Sequence, residues 1–223
     1  MDLAGKQLSL DLWSDLESYK EEDLIITKEN SIAYRFLDSF FNGDLFAQDL
    51  NPDASKYSII LRGDKYSGKT HLLRVFAQKY KCQFLDPDNF SQDNLDRDVF
   101  YIIEDIDNYL DRQDLILSII NYLNENRCYS VISLKDIVQF TLKDLISRLK
   151  NIFTIGIDSP SEETIKQLVI ANLSKLQINL PARNIDFIAK NCNRSYQKIW
   201  QINQLITANP NLSLVDIKEY LGR

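Results

Sequence analysis

The chain has 223 residues, with 26 Lys and Arg against 32 Asp and Glu and a formal net charge of −6. Its 44% apolar and 26% charged residues are ordinary globular composition, which excludes disordered, collagenous and coiled-coil chains and leaves one domain or a core domain with a smaller partner. The acidic balance argues against a large phosphate-neutralising surface, so tight DNA binding by the chain alone is not expected. Apolar runs such as 99–103 are too short to cross a bilayer, and no secretion signal stands at the N-terminus. Cys82, Cys128 and Cys192 are odd in number and widely spaced, which reads as reduced cysteines of a cytoplasmic protein.

Residues 1–22 are polar and acidic except for the apolar knot 8–13, and read as a tail with a short sticky segment. Ile32, Phe36, Leu37 and Phe40 recur at helical spacing, and Asn42-Gly43-Asp44 stops that helix. The run 57–61 predicts a strand, followed by a glycine-containing turn and a helix carrying Leu72, Leu73, Val75 and Phe76. Residues 83–85 predict a second strand, closed by Asp86-Pro87-Asp88. The run 99–103 has no polar alternation, as expected of a strand buried on both faces. Leu115, Ile116, Ile119, Ile120 and Leu123 share one helical stripe, and 129–133 and 153–157 are the next strands.

Strands alternating with helices predict an α/β domain with a parallel sheet flanked by helices. After Asp158 the strand signal disappears. Ser159, Pro160 and Glu162 read as N-cap, first and third positions of a new helix through Ile165, Leu168, Val169, Leu173 and Leu176. Further helices are expected at 185–191, 196–206 and 214–221, the last opened by Ser213 and Asp216. The expected organisation is a tail (1–22), an α/β domain (23–158) and a small all-helical domain (159–223).

The strongest chemical signal is Gly63-Asp64-Lys65-Tyr66-Ser67-Gly68-Lys69-Thr70. Its glycines let the backbone curl so that N–H groups point at a phosphate, and the helix that follows adds positive potential. In such a P-loop Lys69 reaches the terminal phosphates and the Thr70 hydroxyl ligates Mg2+. The ligand is expected to be ADP or ATP. Glu104 and Asp105, at the end of the 99–103 strand, supply the acid that orders the magnesium. Glu104 stands first, a methylene longer than the usual aspartate. His71 is the only histidine, so a histidine-based metal site is nearly excluded; it belongs to the helix directly behind the loop. Trp13 and Trp200 read as interface or core anchors.

The stretches 68–73 (Gly-Lys-Thr-His-Leu-Leu), 102–107 (Ile-Ile-Glu-Asp-Ile-Asp) and 144–149 (Asp-Leu-Ile-Ser-Arg-Leu) resemble the AAA+ module of the bacterial replication initiator DnaA. The resemblance extends from about residue 23 to the C-terminus. It implies that 24–33, with Ile25, Ile26 and Asn30, lies along the adenine, and that Arg148 is an arginine finger acting on a neighbour's γ-phosphate. Such a guanidinium neutralises transition-state charge and is worth on the order of 10³–10⁵ in rate. Counterparts of DnaA's helix-turn-helix and N-terminal domain are not expected in the 223 residues.

Gln7, Leu8, Leu10 and Leu12 resemble instead the sliding-clamp-binding peptide of the Hda-type regulators, which are DnaA homologues. That likeness implies two partners, the DNA polymerase III sliding clamp and DnaA, and stimulation of hydrolysis of DnaA-bound ATP in trans. It implies no membrane and leaves self-association open. Two departures stand out: Gln197 falls where the lid arginine of the family is expected, with Lys198 or Arg194 as the substitutes one turn of register away, and Glu104 replaces aspartate. Both point to weak intrinsic ATPase activity and a stably held ADP. Ser133 is the expected polar sensor at the end of the 129–133 strand. A freestanding ATPase or helicase loader, and a non-catalytic scaffold for clamp and nucleotide, are the alternatives.

Overall fold

The computed structural model describes residues 24–44, 57–91, 95–209 and 214–221. Helix α1 (Ser31–Phe41) leads into strand β1 (Ser58–Gly63), followed by α2 (Lys69–Lys79), β2 (Cys82–Phe84), β3 (Phe100–Ile103), α3 (Gln113–Glu125), β4 (Ser130–Leu134), α4 (Lys143–Lys150) and β5 (Phe153–Ile157). Four helices follow: α5 (Glu162–Lys175), α6 (Ala182–Asn191), α7 (Tyr196–Ala208) and α8 (Leu214–Leu221). The five strands form one sheet in the order β2-β3-β4-β1-β5, and every pairing is parallel.

A fully parallel sheet must be covered on both faces, and side-chain alternation along the strands shows how. Ile59, Leu61, Ile102 and Val131 point to one face, where they meet Ala33, Leu37, Phe41, Leu72 and Phe76 from α1 and α2. Ile60, Tyr101, Ile103 and Ile132 point to the other, against Ile116, Ile119, Ile120 and Leu123 of α3 and Leu145 and Leu149 of α4. The first cluster does not stop at the sheet. It runs without interruption into Ile165, Val169, Ile188, Ile199, Ile202, Ile206 and Ile217 of the last four helices. Phe41 anchors it, stacked on Phe76 and Tyr80 with ring centroids 5.2 and 5.3 Å apart.

Local signals explain most boundaries. Gly43, at φ +78°, ends α1 with the left-handed residue that terminates helices. Two expectations shift. Ile32 is 53% exposed, and the buried stripe of α1 is Ala33, Leu37, Phe40 and Phe41, one position further round the helix. The cap of α5 is Ser161, two residues beyond the expected Ser159, because the Ser161 hydroxyl accepts from the Thr164 N–H (3.3 Å) while the Ser161 N–H donates to Glu29 (3.0 Å). Ser213, Trp13 and the tail residues Gln7, Leu8, Leu10 and Leu12 lie outside the described residues.

Candidate nucleotide site

The carboxyl ends of β1, β3 and β4 converge where open α/β sheets place their ligands. Gly63 ends β1 and Lys69 opens α2, so residues 64–68 form the connecting loop. A Cβ added at Gly63 would fall 2.6 Å from the Ser67 Oγ, so the glycine lets that hydroxyl keep its place against the strand end. Gly68, the residue before the helix, has φ +93°, which glycine adopts without steric cost. The Ser67 N–H donates to the Asp64 carbonyl at 3.1 Å and tightens the turn. Lys69 is only 6% exposed; its ammonium donates to the carbonyls of Gly63 (3.0 Å) and Asp64 (3.4 Å) and lies 3.4 Å from an Asp105 oxygen. Thr70 follows on α2, half-buried, and Lys65 stays at the exposed rim.

The two acids after β3 are split by their partners. Asp105, in the left-handed region at φ +44°, turns toward Lys69, and its N–H donates to the buried Ser133 hydroxyl at the end of β4 (2.8 Å). The same hydroxyl lies 3.3 Å from the Asp105 carboxylate, to which it donates. Glu104 instead pairs with Arg74 of α2 at 3.2 Å, and that guanidinium lies 4.0 Å over the Phe84 ring. Sequence spacing singled out Glu104 as the magnesium-ordering acid, yet Asp105 is the carboxylate beside the loop lysine.

A cleft of about 200 Å³ opens beside the loop, lined by Leu24, Ile25, Thr27, Asn30, Ser67, Gly68 and His71, with Ile157, Leu168 and Tyr196 behind. The structure thus brings the 24–30 segment and the loop to one cavity. Within it the Ser67 Oγ and Thr27 Oγ1 are buried and have no hydrogen-bond partner among the described residues. Buried hydroxyls left unpaired are costly, so a polar ligand that satisfies both fits this cavity. Asn30 serves the segment itself: its carbonyl oxygen accepts from the Thr27 N–H (2.8 Å) and its amide donates to the Ile25 carbonyl (2.9 Å). Ile26 points outward, 52% exposed, and Gln197 lies exposed on the first turn of α7; neither lines the cleft. Arg148 is exposed on the last turn of α4, away from the cleft lining, and its guanidinium has no ion-pair or hydrogen-bond partner among the described residues.

Three residues that sequence reasoning passed over hold this arrangement. Glu29 is 6% exposed, and its carboxylate accepts from the Ser161 N–H (3.0 Å) and the Thr164 hydroxyl (2.6 Å). Burial alone would raise its pKa; the Thr164 and Ser161 hydrogen bonds outweigh that and hold it at about 2. Tyr196 donates to the Asp158 carbonyl (3.0 Å), and burial, with Glu29 and Asp158 nearby, pushes its hydroxyl pKa up. Tyr66, at the tip of the loop, stacks on Trp200 of α7. No local pattern marks Glu29, because its partners lie 132 and 135 residues away.

The five-stranded parallel sheet, its flanking helices and the loop between β1 and α2 together define an α/β P-loop fold. No protein-family profile matches the chain, and no curated protein matches it in sequence. Solved structures do match in fold. Domain III of the replication initiation protein DnaA from Thermotoga maritima superimposes with a TM-score of 0.65 at 17% identity, covering 97% of this chain and 98% of that one. AMPPCP-bound DnaA from Aquifex aeolicus gives 0.64 at 20% identity, over 86% of this chain and 65% of that one. The RuvB Holliday junction branch migration motor of Thermotoga maritima gives 0.57 at 14% identity, over 88% and 69%.

Proposed function

We propose that the chain is a nucleotide-holding AAA+ regulator of replication initiation, which binds the sliding clamp through its tail and stimulates hydrolysis of DnaA-bound ATP. The observation that carries the nucleotide reading is the pairing of the glycine-framed loop with a cleft holding two unpartnered hydroxyls, Ser67 and Thr27. The loop N–H groups and Lys69 would hold the phosphates, Thr70 and Asp105 or Glu104 would hold Mg2+, and Ile25 and Leu168 would flank the base. Bound Mg2+ would neutralise phosphate charge. The likeness to DnaA, which in one solved structure is bound to AMPPCP, supports an adenine nucleotide and a place in replication.

Arg148 is the residue assigned to act on the partner. An exposed guanidinium that is free of carboxylates is available to a neighbour's phosphates. The 1–22 tail is assigned to the clamp, and 159–223 to a lid over the 23–158 domain. Glu104, held by Arg74, and Gln197, outside the cleft, favour weak hydrolysis by the chain itself and ADP as resting ligand.

The test has two arms. Denaturing freshly purified protein releases an adenine nucleotide, identified by chromatography. ADP-bound protein, DNA-loaded clamp and ATP–DnaA together release phosphate, and Arg148→Ala abolishes this with an unchanged circular dichroism spectrum. Stimulation by Arg148→Ala equal to wild type refutes the finger assignment. Robust phosphate release by the chain alone, lost in Lys69→Ala, marks a freestanding ATPase instead. Binding to clamp and nucleotide without stimulation marks a scaffold.

A further inference from the structure

The tip of the phosphate loop carries an unusual residue. Tyr66 has φ +67°, a conformation that bulky L residues rarely adopt and that persists only where the surroundings fix it. What fixes it is visible: its ring stacks on Trp200 with centroids 4.9 Å apart and planes 19° from parallel, and the Lys65 ammonium lies 5.4 Å from the ring centroid. Trp200 is half-buried and sits four residues after Tyr196 on α7, so the two rings share one helix face. Tyr196 ties that face to the end of β5 through the Asp158 carbonyl, and Trp200 ties it to the loop. Tyr66 and Tyr196 both line the cleft, while Gln197 does not.

We propose that the Tyr66–Trp200 stack is the contact through which the C-terminal helices sense the posture of the phosphate loop, a ring-on-ring coupling beside a cleft that Gln197 does not line. The inference rests on the loop being a nucleotide site. A stack responds to where the loop backbone lies, not to the charge of what the loop holds. Di- and triphosphate nucleotides therefore act alike on α7, and loss of the stack changes the affinity for both by the same factor. Tyr66 and Trp200 are positioning residues.

The test uses the full chain carrying Trp13→Phe, which leaves Trp200 as the only tryptophan. Without nucleotide, Tyr66→Ala shifts Trp200 emission to the red, and Tyr66→Phe, which keeps a ring, does not. Calorimetry measures the affinity of each variant for ADP and for ATP. Trp200→Ala weakens both by the same factor, about three- to tenfold, and Trp200→Phe restores them. Identical emission from Tyr66→Ala and Tyr66→Phe overturns the coupling, as does a Trp200→Ala protein that loses affinity for ATP alone or for neither nucleotide. Absence of heat with both nucleotides overturns the nucleotide reading and the coupling with it. Intact binding with unchanged emission overturns the coupling alone.

Discussion

Glu29→Gln is the most informative single change, because it removes a charge while keeping the shape of a buried side chain. The carboxylate receives the Ser161 N–H and the Thr164 hydroxyl, both donors, and the amide offers only one oxygen to accept them. Its pKa, lowered from an ordinary 4.5 to about 2, corresponds to about 3 kcal/mol of stability at neutral pH, at about 1.4 kcal/mol per pH unit. The sign follows from the direction. A carboxylate with a depressed folded-state pKa contributes fully above its unfolded value, and the contribution falls away as pH drops through 4.5 toward 2. The stability gap between wild type and Glu29→Gln is therefore about 3 kcal/mol at pH 7 and about 2 kcal/mol near pH 3.5. Urea midpoints at the two pH values, with unchanged m, measure it. A gap of the same size at both would mean that the substitution acts through packing and not through charge, and would refute the reasoning.

Gly63→Ala places a methyl 2.6 Å from the Ser67 Oγ, so it costs about 1–3 kcal/mol in urea unfolding and weakens nucleotide binding; wild-type values in both would refute the close approach. Lys69→Met loses the buried ammonium and is expected to weaken nucleotide binding by about ten- to a hundredfold in calorimetry while α-helical circular dichroism is retained. Burial pushes the Cys82 thiol up to about 12 and the Cys192 thiol to about 11, and also raises Cys128, so a thiol reagent at pH 8 modifies none of them until urea unfolds the chain; fast labelling in buffer would contradict this.

The sheet was legible because strands covered on both faces need uninterrupted apolar residues, and 99–103 and 129–133 supply them with boundaries shifted by one residue. The phosphate loop was legible because its glycines, lysine and threonine are adjacent in the chain. The site beyond the loop was legible only in part: Ile25, Asn30 and His71 were expected there and line the cleft, but the residues that hold it together were not. Glu29 lies in the 24–33 run expected along the adenine, but nothing in that run marks it as buried, and only the fold supplies donors from Ser161 and Thr164. The placing of Asp105, and not Glu104, beside Lys69 depends on Arg74, thirty residues from its partner Glu104, and on a left-handed turn at Asp105. Trp200 was recognisable as an anchor, but its seat on Tyr66 joins residues separated by half the chain.

The apolar cluster that passes from Phe41 and Phe76 through Ile155 and Ile157 to Ile199 and Ile217 has a mechanical consequence. Sheet and terminal helices share one hydrophobic mass, so the loss of either half uncovers apolar surface on the other. Shortening the polypeptide after Asp158 would strip that mass of its cover and expose a sticky surface, leaving an aggregating stump in place of a lidless enzyme. Conversely, whatever grips the loop steadies α8 from across the molecule, and protease resistance at the far carboxyl end becomes a remote gauge of occupancy.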